Sequence, residues 1–400
     1  MGALDGIRVL SFNHFLSGPA AAQHLGDLGA DVITVEPLNG AFQRNWAVGN
    51  RFVDDISVNH ITTGRNKRSI AVDLKSPEGI AAVKRLIATA DVVMENFRPG
   101  TLDKLGLSEA EMRAVNPRII IAATTGYGAD GPYAKRPGQD VLLQAMAGLA
   151  AHTGSMESGP VAVGSVPIDH HAAALTVAGI IAALFERERT GVARRVEVNM
   201  LQAAMDLQGE SITAWMNGAE RSGPRGREGM ANWFSPAPYG IYATTDGHVM
   251  ISMSKPVDLA QALDLPEFAA FTEKDGFDRR GEVSAKVREG MARLSTDEAV
   301  AKLSAVGVWH EVVRDYDGLR DNPQVQHLKA FTELSTAQGS PMVMLSHPVR
   351  YDGETPAIRR APPALGAQTR EVLGEAGFSD TEIEALIASG AVVETNKMRS

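Results

Sequence analysis

Gly164-Ser-Val-Pro167-Ile-Asp169-His-His-Ala172-Ala-Ala-Leu-Thr-Val-Ala-Gly-Ile-Ile-Ala-Ala-Leu-Phe185-Glu-Arg-Glu-Arg-Thr-Gly191 sets a single carboxylate at the mouth of a long apolar helix. From Ala172 to Phe185 nearly every side chain is apolar and suited to a helix, so the segment is expected to be buried on all sides rather than on one face. Glu186, Arg187, Glu188 and Arg189 read as a solvated last turn, and Gly191 as the left-handed residue that ends it. Pro167 has no place inside such a helix, so the expected start is at or just after Asp169, beside the unpaired N–H groups of the first turn. A carboxylate there is favoured in its charged form. Two readings of Asp169 stand side by side: an N-cap and nothing more, or an ionised nucleophile, held between a helix end and a dry core, of the kind that forms acyl-enzyme anhydrides.

Around that helix, 400 residues with 44% hydrophobic and 22% charged content are enough for a large core and two domains. A net charge of −9 argues against nucleic acid as a partner and leaves room for a small anionic ligand where basic residues gather. No run of eighteen apolar residues occurs and Met1 to Gly6 lacks the basic and apolar parts of a signal peptide, so no membrane association and a cytoplasmic location are expected. With no cysteine there is no disulfide, thiolate nucleophile or Cys-ligated metal.

Ile7–Phe12 and Asp31–Glu36 read as strands joined by a helix from Gly18 to Leu28, the opening unit of a parallel α/β sheet. Glu36 stands where a dinucleotide fold keeps its ribose carboxylate, but the turn Asn13-His-Phe-Leu-Ser-Gly-Pro19 lacks the glycines that reading needs. Further strands are expected up to Leu74, from Val92 to Met94, from Arg118 to Thr124 and from Arg195 to Met200. Ser76, Pro77 and Glu78 signal a helix start. Lys67, Arg68 and Lys75 form either a solvated rim or a set of cations for phosphates. Leu201 to Trp215 reads as a helix and Gly218 to Ala231 as a flexible linker. Beyond it come a hairpin turning at Asp246-Gly247 and helices near 257–263, 282–292 and 297–306, a smaller α+β domain. His170-His171 point about 100° apart on a helix without a third ligand, so no metal is expected.

Asp169, its helix ending Ala183-Leu-Phe-Glu-Arg-Glu-Arg-Thr-Gly191, and Arg195-Val-Glu-Val-Asn-Met-Leu-Gln-Ala203 together resemble the central signature of the class III CoA-transferases. Gly29 to Pro37, Asn66 to Lys75, Glu95-Asn-Phe-Arg-Pro-Gly100, Tyr316 to Val325 and Pro363 to Gly374 extend the resemblance over nearly the whole chain. It implies a Rossmann-like, parallel-sheet CoA-binding domain from residues 1–222 and 326–400, a small α+β domain at 223–325, and an interlocked homodimer. The family's catalytic Asp falls on Asp169, and its CoA site is carried to His14, Val72, Lys75, Asn96, Phe97, Arg98, Lys104 and Asp140. Acyl-CoA and a small carboxylic acid are the implied partners, CoA serving as substrate with no tightly bound cofactor.

The related 2-methylacyl-CoA racemases carry Gly-His-Asp where this chain has Gly138-Gln139-Asp140, and an amide cannot exchange a proton near neutral pH. Transfer therefore ranks above racemisation or another acyl-CoA isomerisation, and above a non-catalytic acyl-CoA binder. Three departures from the family pattern stand out: Leu16 where formyl-CoA transferase holds acyl intermediates with a Gln, Ser252 to Val257 in place of its glycine loop, and Gly191-Val-Ala-Arg-Arg195 after the helix. The first two point to an acid larger or less polar than oxalate.

Overall fold

The computed structural model describes residues 2–219, 225–226 and 229–395. Much of the expected linker, including the boundary after residue 222, lies outside the described residues.

Seven strands form the main sheet: β1 Arg8–Phe12, β2 Asp31–Glu36, β3 Lys67–Val72, β4 Val92–Glu95, β5 Ile120–Thr125, β6 Arg195–Asn199 and β7 Val392–Val393. Their order is β7-β3-β2-β1-β4-β5-β6, parallel throughout except for β7, which runs antiparallel to β3 with Val392 opposite Val72. Two residues are too few to show alternation, so β7 carries no strand signal of its own. Successive side chains point to opposite faces, and both faces are covered, as a parallel sheet requires. Leu10, Ile33, Ile70, Val93 and Ile121 face helix α2 (Pro77–Ala88), burying Val83, Leu86 and Ile87, with Leu373 and Ile383 from the C-terminal segment. Ser76 caps α2 by accepting from Gly79 N–H at 2.9 Å, with Pro77 at the first helical position. On the other face Val9, Val32, Val92 and Ile120 meet α1 (Ser17–Asp27) and the long helix α4 (Pro167–Thr190), to which α3 (Asp140–Met146) is joined in sequence.

Helix α4 departs from the sequence reading in three ways. It starts at Pro167, whose missing N–H costs nothing in a first turn, so Asp169 is its third residue rather than its cap. It is not buried all round in the single chain: Ala173, Thr176, Ile180, Ala183 and Leu184 face the sheet and α1, while Ala174, Ala178, Ile181, Ala182 and Phe185 are exposed. Arg187 is buried rather than solvated, because it continues the row of Ile180 and Ala183, and it pairs with Asp91 at 2.8 Å. Gly191 ends the helix at φ 74°, as expected. By length and composition α4 has what a membrane crossing needs, yet one face of it is packed on the sheet.

The chain divides into two compact units, 1–143 with 166–203 and 326–400, and 144–165 with 204–325. The second thus takes 144–165 and 204–222, which the composition break near 223 had left with the first. Packing decides this: Gln208 donates to the Ala147 and Ala204 carbonyls and Trp233 Nε1 to Ser211 Oγ, tying the 200–216 helices to their own neighbours. The expected hairpin is present as Gly240–Ala243 and His248–Ile251, joined by His310–Val312 in a three-stranded sheet over Tyr242, Phe268, Val287 and Leu303.

In the first unit, Arg65 bonds Asp27 at the end of α1 with a closest approach of 2.7 Å and also donates to the Leu345 carbonyl. The two side chains are only 3% and 2% exposed. Breaking such a pair strands a charge, so Arg65→Met is expected to cost about 3–5 kcal/mol. Urea unfolding of the two proteins side by side checks it.

Candidate active site

The sheet order reverses at β1: the chain goes through β2 and β3 on one side, then returns to place β4 on the other. Open α/β sheets bind ligands outside the carboxyl ends of their strands at such a point. Asn13 and His14 follow β1, and Asn96 and Phe97 follow β4. Asn96 clasps the two loops, its Oδ1 accepting from His14 N–H at 2.9 Å and its Nδ2 donating to the His14 carbonyl at 2.8 Å. The ring of His14 stands edge-on to Phe97 at 5.2 Å. Burial holds the His14 imidazole below its usual pKa, against a bond to the Asn96 backbone that pulls the other way. Glu95 accepts from Phe97 N–H at 2.8 Å, and burial pushes its carboxyl up to about 7.

Three sequence-assigned residues, His14, Asn96 and Phe97, therefore meet. Lys75, in the turn after β3, and Arg98 and Lys104, after β4, are exposed on loops that leave the same end of the sheet. Val72 does not join them: it is fully buried in β3 and presents no surface to a ligand. Lys67 and Arg68 begin β3 at the opposite end, where Arg68 stays while the Lys67 side chain reaches along the sheet to the first turn of α1. Lys67 Nζ donates to the Pro19 carbonyl at 2.7 Å, and burial lowers its pKa to about 7. Arg68 is held by Asp31, Glu371 and Glu375 in the wall of a cavity of about 580 Å³ at the amino ends of the strands. Glu36 is likewise occupied, gripped by Arg44 at 2.6 and 2.7 Å and by Ser69 Oγ, so it cannot hold a ribose.

Asp140 is not a CoA contact either. It is buried, and its Oδ2 accepts from the N–H groups of Ile168 at 2.8 Å and Asp169 at 3.0 Å, capping α4 from outside. A close backbone crossing delivers it: a Cβ on Gly126 would lie 2.6 Å from the Cα of Gly138, so both positions need glycine for Gln139 and Asp140 to sit at the end of β5.

With the cap supplied by Asp140, the Asp169 side chain is left for another task. Its carboxylate faces the backbone N–H of Ser17, the first residue of α1, near enough for that dipole to draw its pKa down. The readily ionised carboxylate expected from sequence is nevertheless not found. Burial, with the charge of Asp140 second, pushes Asp169 up to about 7 and outweighs the Ser17 N–H. A carboxylate poorly solvated yet ionisable near neutrality is suited to nucleophilic attack on a carbonyl and to leaving again. Ser17 was the residue missed from sequence; its place before Gly18-Pro19, at a helix start after a strand, was the available signal.

His24, Asp27 and His347 bring one potential ligand atom each within 4.8 Å of one another, a cluster that no sequence spacing revealed. Arg65 and Asn66 already occupy the Asp27 oxygens and Val349 N–H donates to His347 Nδ1, so this donor set does not fit a cation.

A family model described as CoA-transferase family III matches residues 4–369. The succinyl-CoA:glutarate CoA-transferase of Mus musculus is 30% identical over 414 residues, covering 98% of this chain and 91% of that one. The succinyl-CoA–L-malate CoA-transferase alpha subunit of Chloroflexus aurantiacus is 32% identical over 388 residues, covering 93% and 88%. Among solved structures, a CAIB/BAIF family protein from Brucella suis superposes with a TM-score of 0.82 at 29% identity, covering 94% of this chain and 99% of that one.

The raised Asp169 pKa has a stability signature. A carboxyl whose folded value is about 7 and whose ordinary value is 3.8 makes the fold progressively less stable as pH rises between those two values. Asp169→Asn is therefore expected to melt higher than the parent protein, by a margin that widens from pH 4 to about 7 and is constant above; calorimetry across that range checks it. In Asp140→Asn one oxygen still caps α4 while the neighbouring charge is gone, so the pH at which Asp169 ionises is expected to fall, as read by carboxyl NMR or by a pH–rate profile.

Proposed function

We propose, from the premise that this chain belongs to CoA-transferase family III, whose enzymes exchange CoA between an acyl-CoA and a carboxylic acid, that Asp169 carries the transfer covalently. What supports this is the position of its half-buried carboxyl, beside the Asp140 cap of α4 and facing the Ser17 N–H at the start of α1, surroundings that push its pKa up to about 7.

The carboxylate attacks the thioester carbonyl, and the C–S bond breaks to give a mixed anhydride and CoA thiolate. The thiolate then attacks the aspartyl carbonyl of the anhydride, forming an enzyme-CoA thioester and releasing the first acid as its carboxylate. An acceptor carboxylate attacks that thioester and regenerates an anhydride and the thiolate. Attack of the thiolate on the acceptor's carbonyl yields the new acyl-CoA and restores Asp169. Covalent participation divides one hard exchange into easier steps.

His14, Asn96 and Phe97 form the surface along which the pantetheine arm would run, and Lys75, Arg98 and Lys104 are the exposed cations available to its phosphates. Gln139, beside the Asp140 cap, supplies no second acid or base, which favours transfer over racemisation. The named activities of the relatives make succinyl-CoA with a short dicarboxylic acid the first pair to assay. Single-chain exposure of Ile181 at 39% and Phe185 at 64% on the outer face of α4 supports the homodimer that the resemblance implies. A stable monomer in sedimentation at micromolar concentration would refute that assembly.

Hydroxylamine or borohydride quenching of protein mixed with acyl-CoA is expected to mark the peptide containing Asp169, located by mass spectrometry. Asp169→Asn should keep its affinity for CoA while turnover drops by several orders of magnitude. A mark elsewhere, or none while transfer proceeds, would sink the assignment.

A further inference from the structure

Ser17 is 4% exposed, and its hydroxyl oxygen is buried without a hydrogen-bond partner among the described residues. A buried hydroxyl left unbonded destabilises the fold, and alanine would fill the same space without that penalty. Asn13 Nδ2 donates to Ser11 Oγ at 2.9 Å, and the Pro19 carbonyl accepts from Lys67. The Leu16 side chain brings no polar atom, and its carbonyl accepts from Ala20 N–H at 2.8 Å. The hydroxyl belongs to the residue whose own backbone N–H faces the Asp169 carboxylate, and a single torsion, Cα–Cβ, separates the two donors. In the resting protein this hydroxyl is bonded to nothing, and the reaction proposed above gathers charge on an oxygen of the carboxyl that its own N–H faces.

We infer that the Ser17 hydroxyl is a catalytic hydrogen-bond donor which, together with its own backbone N–H, binds the oxyanion formed at the Asp169 carboxyl carbon. This rests on Asp169 being the covalent residue. The oxyanion arises twice. When CoA thiolate attacks the anhydride, the new C–S bond sends the carbonyl electron pair onto oxygen; the pair returns as the first acid departs with the electrons of the C–O bond. The second case is attack of the acceptor carboxylate on the enzyme-CoA thioester, with thiolate leaving. Ser17 gives up no proton in either case. Its hydrogen bond strengthens as charge collects on oxygen, so it favours the transition state over the resting carboxylate.

A merely structural hydroxyl and a catalytic one predict opposite outcomes for Ser17→Ala, which keeps the backbone N–H. The catalytic role predicts a kcat lowered about 10- to 100-fold, a KM for succinyl-CoA within about twofold of the parent, and a melting temperature equal or higher. A kcat within about twofold of the parent overturns the inference, as does a lower melting temperature, which would mean that the hydroxyl supports the fold. The parent protein, labelled in parallel with acyl-CoA and hydroxylamine, separates this failure from that of its premise. Labelling at Asp169 with an indifferent Ser17→Ala removes only the role of Ser17; absent labelling during turnover removes both.

Discussion

Two hydrogen bonds, from the N–H groups of Ile168 and Asp169 to the carboxylate of Asp140, set the site on which everything else depends. They satisfy the first turn of α4 from a different element, so the helix needs no cap of its own and Asp169 is free to turn to Ser17. The two carboxylates differ in task because they differ in surroundings. Asp140 accepts two backbone N–H bonds, whereas Asp169 faces one donor in a half-buried place next to another acid, and its proton is correspondingly hard to remove. Gly126 and Gly138 belong to the same constraint, since their backbone contact brings Asp140 to the end of β5.

The ends of the sheet divide structural from chemical charge. At the amino ends Arg8, Arg68, Asp31, Glu371 and Glu375 lock β1, β2 and β3 to the C-terminal segment, with Arg68 only 5% exposed. At the carboxyl ends Lys75, Arg98 and Lys104 stay exposed, and the side chain of Asn96 holds the loops after β1 and β4 together. Lys67 and Lys75 differ little in sequence context. One stands at each end of the same strand, and strand direction alone separates a buried structural amine from a solvent-facing cation.

Much of the fold was legible in the chain. Strand–helix alternation, Ser76-Pro77 at a helix start, Gly191 at a helix end and the Asp246-Gly247 hairpin are local signals with local causes, and the structure shows each of them. The Arg187 error came from reading charge before period. Counting on from Ile180 and Ala183 puts Arg187 on the face that packs, where Asp91 receives it.

By itself the sequence determined the parallel α/β class, the smaller α+β part and the prominence of Asp169, because propensity, turn chemistry and motif order are properties of short stretches. Tertiary structure alone decided what each acid does. Asp140 lies 29 positions before Asp169 and Ser17 lies on another helix, so which of them caps and which donates is settled by a fold that brings three segments to one point. Val72, Lys67 and Arg68 fell away for the same reason: burial and strand direction are set by neighbours distant in the chain, and it is burial that turns an ordinary carboxyl into one that ionises near neutrality.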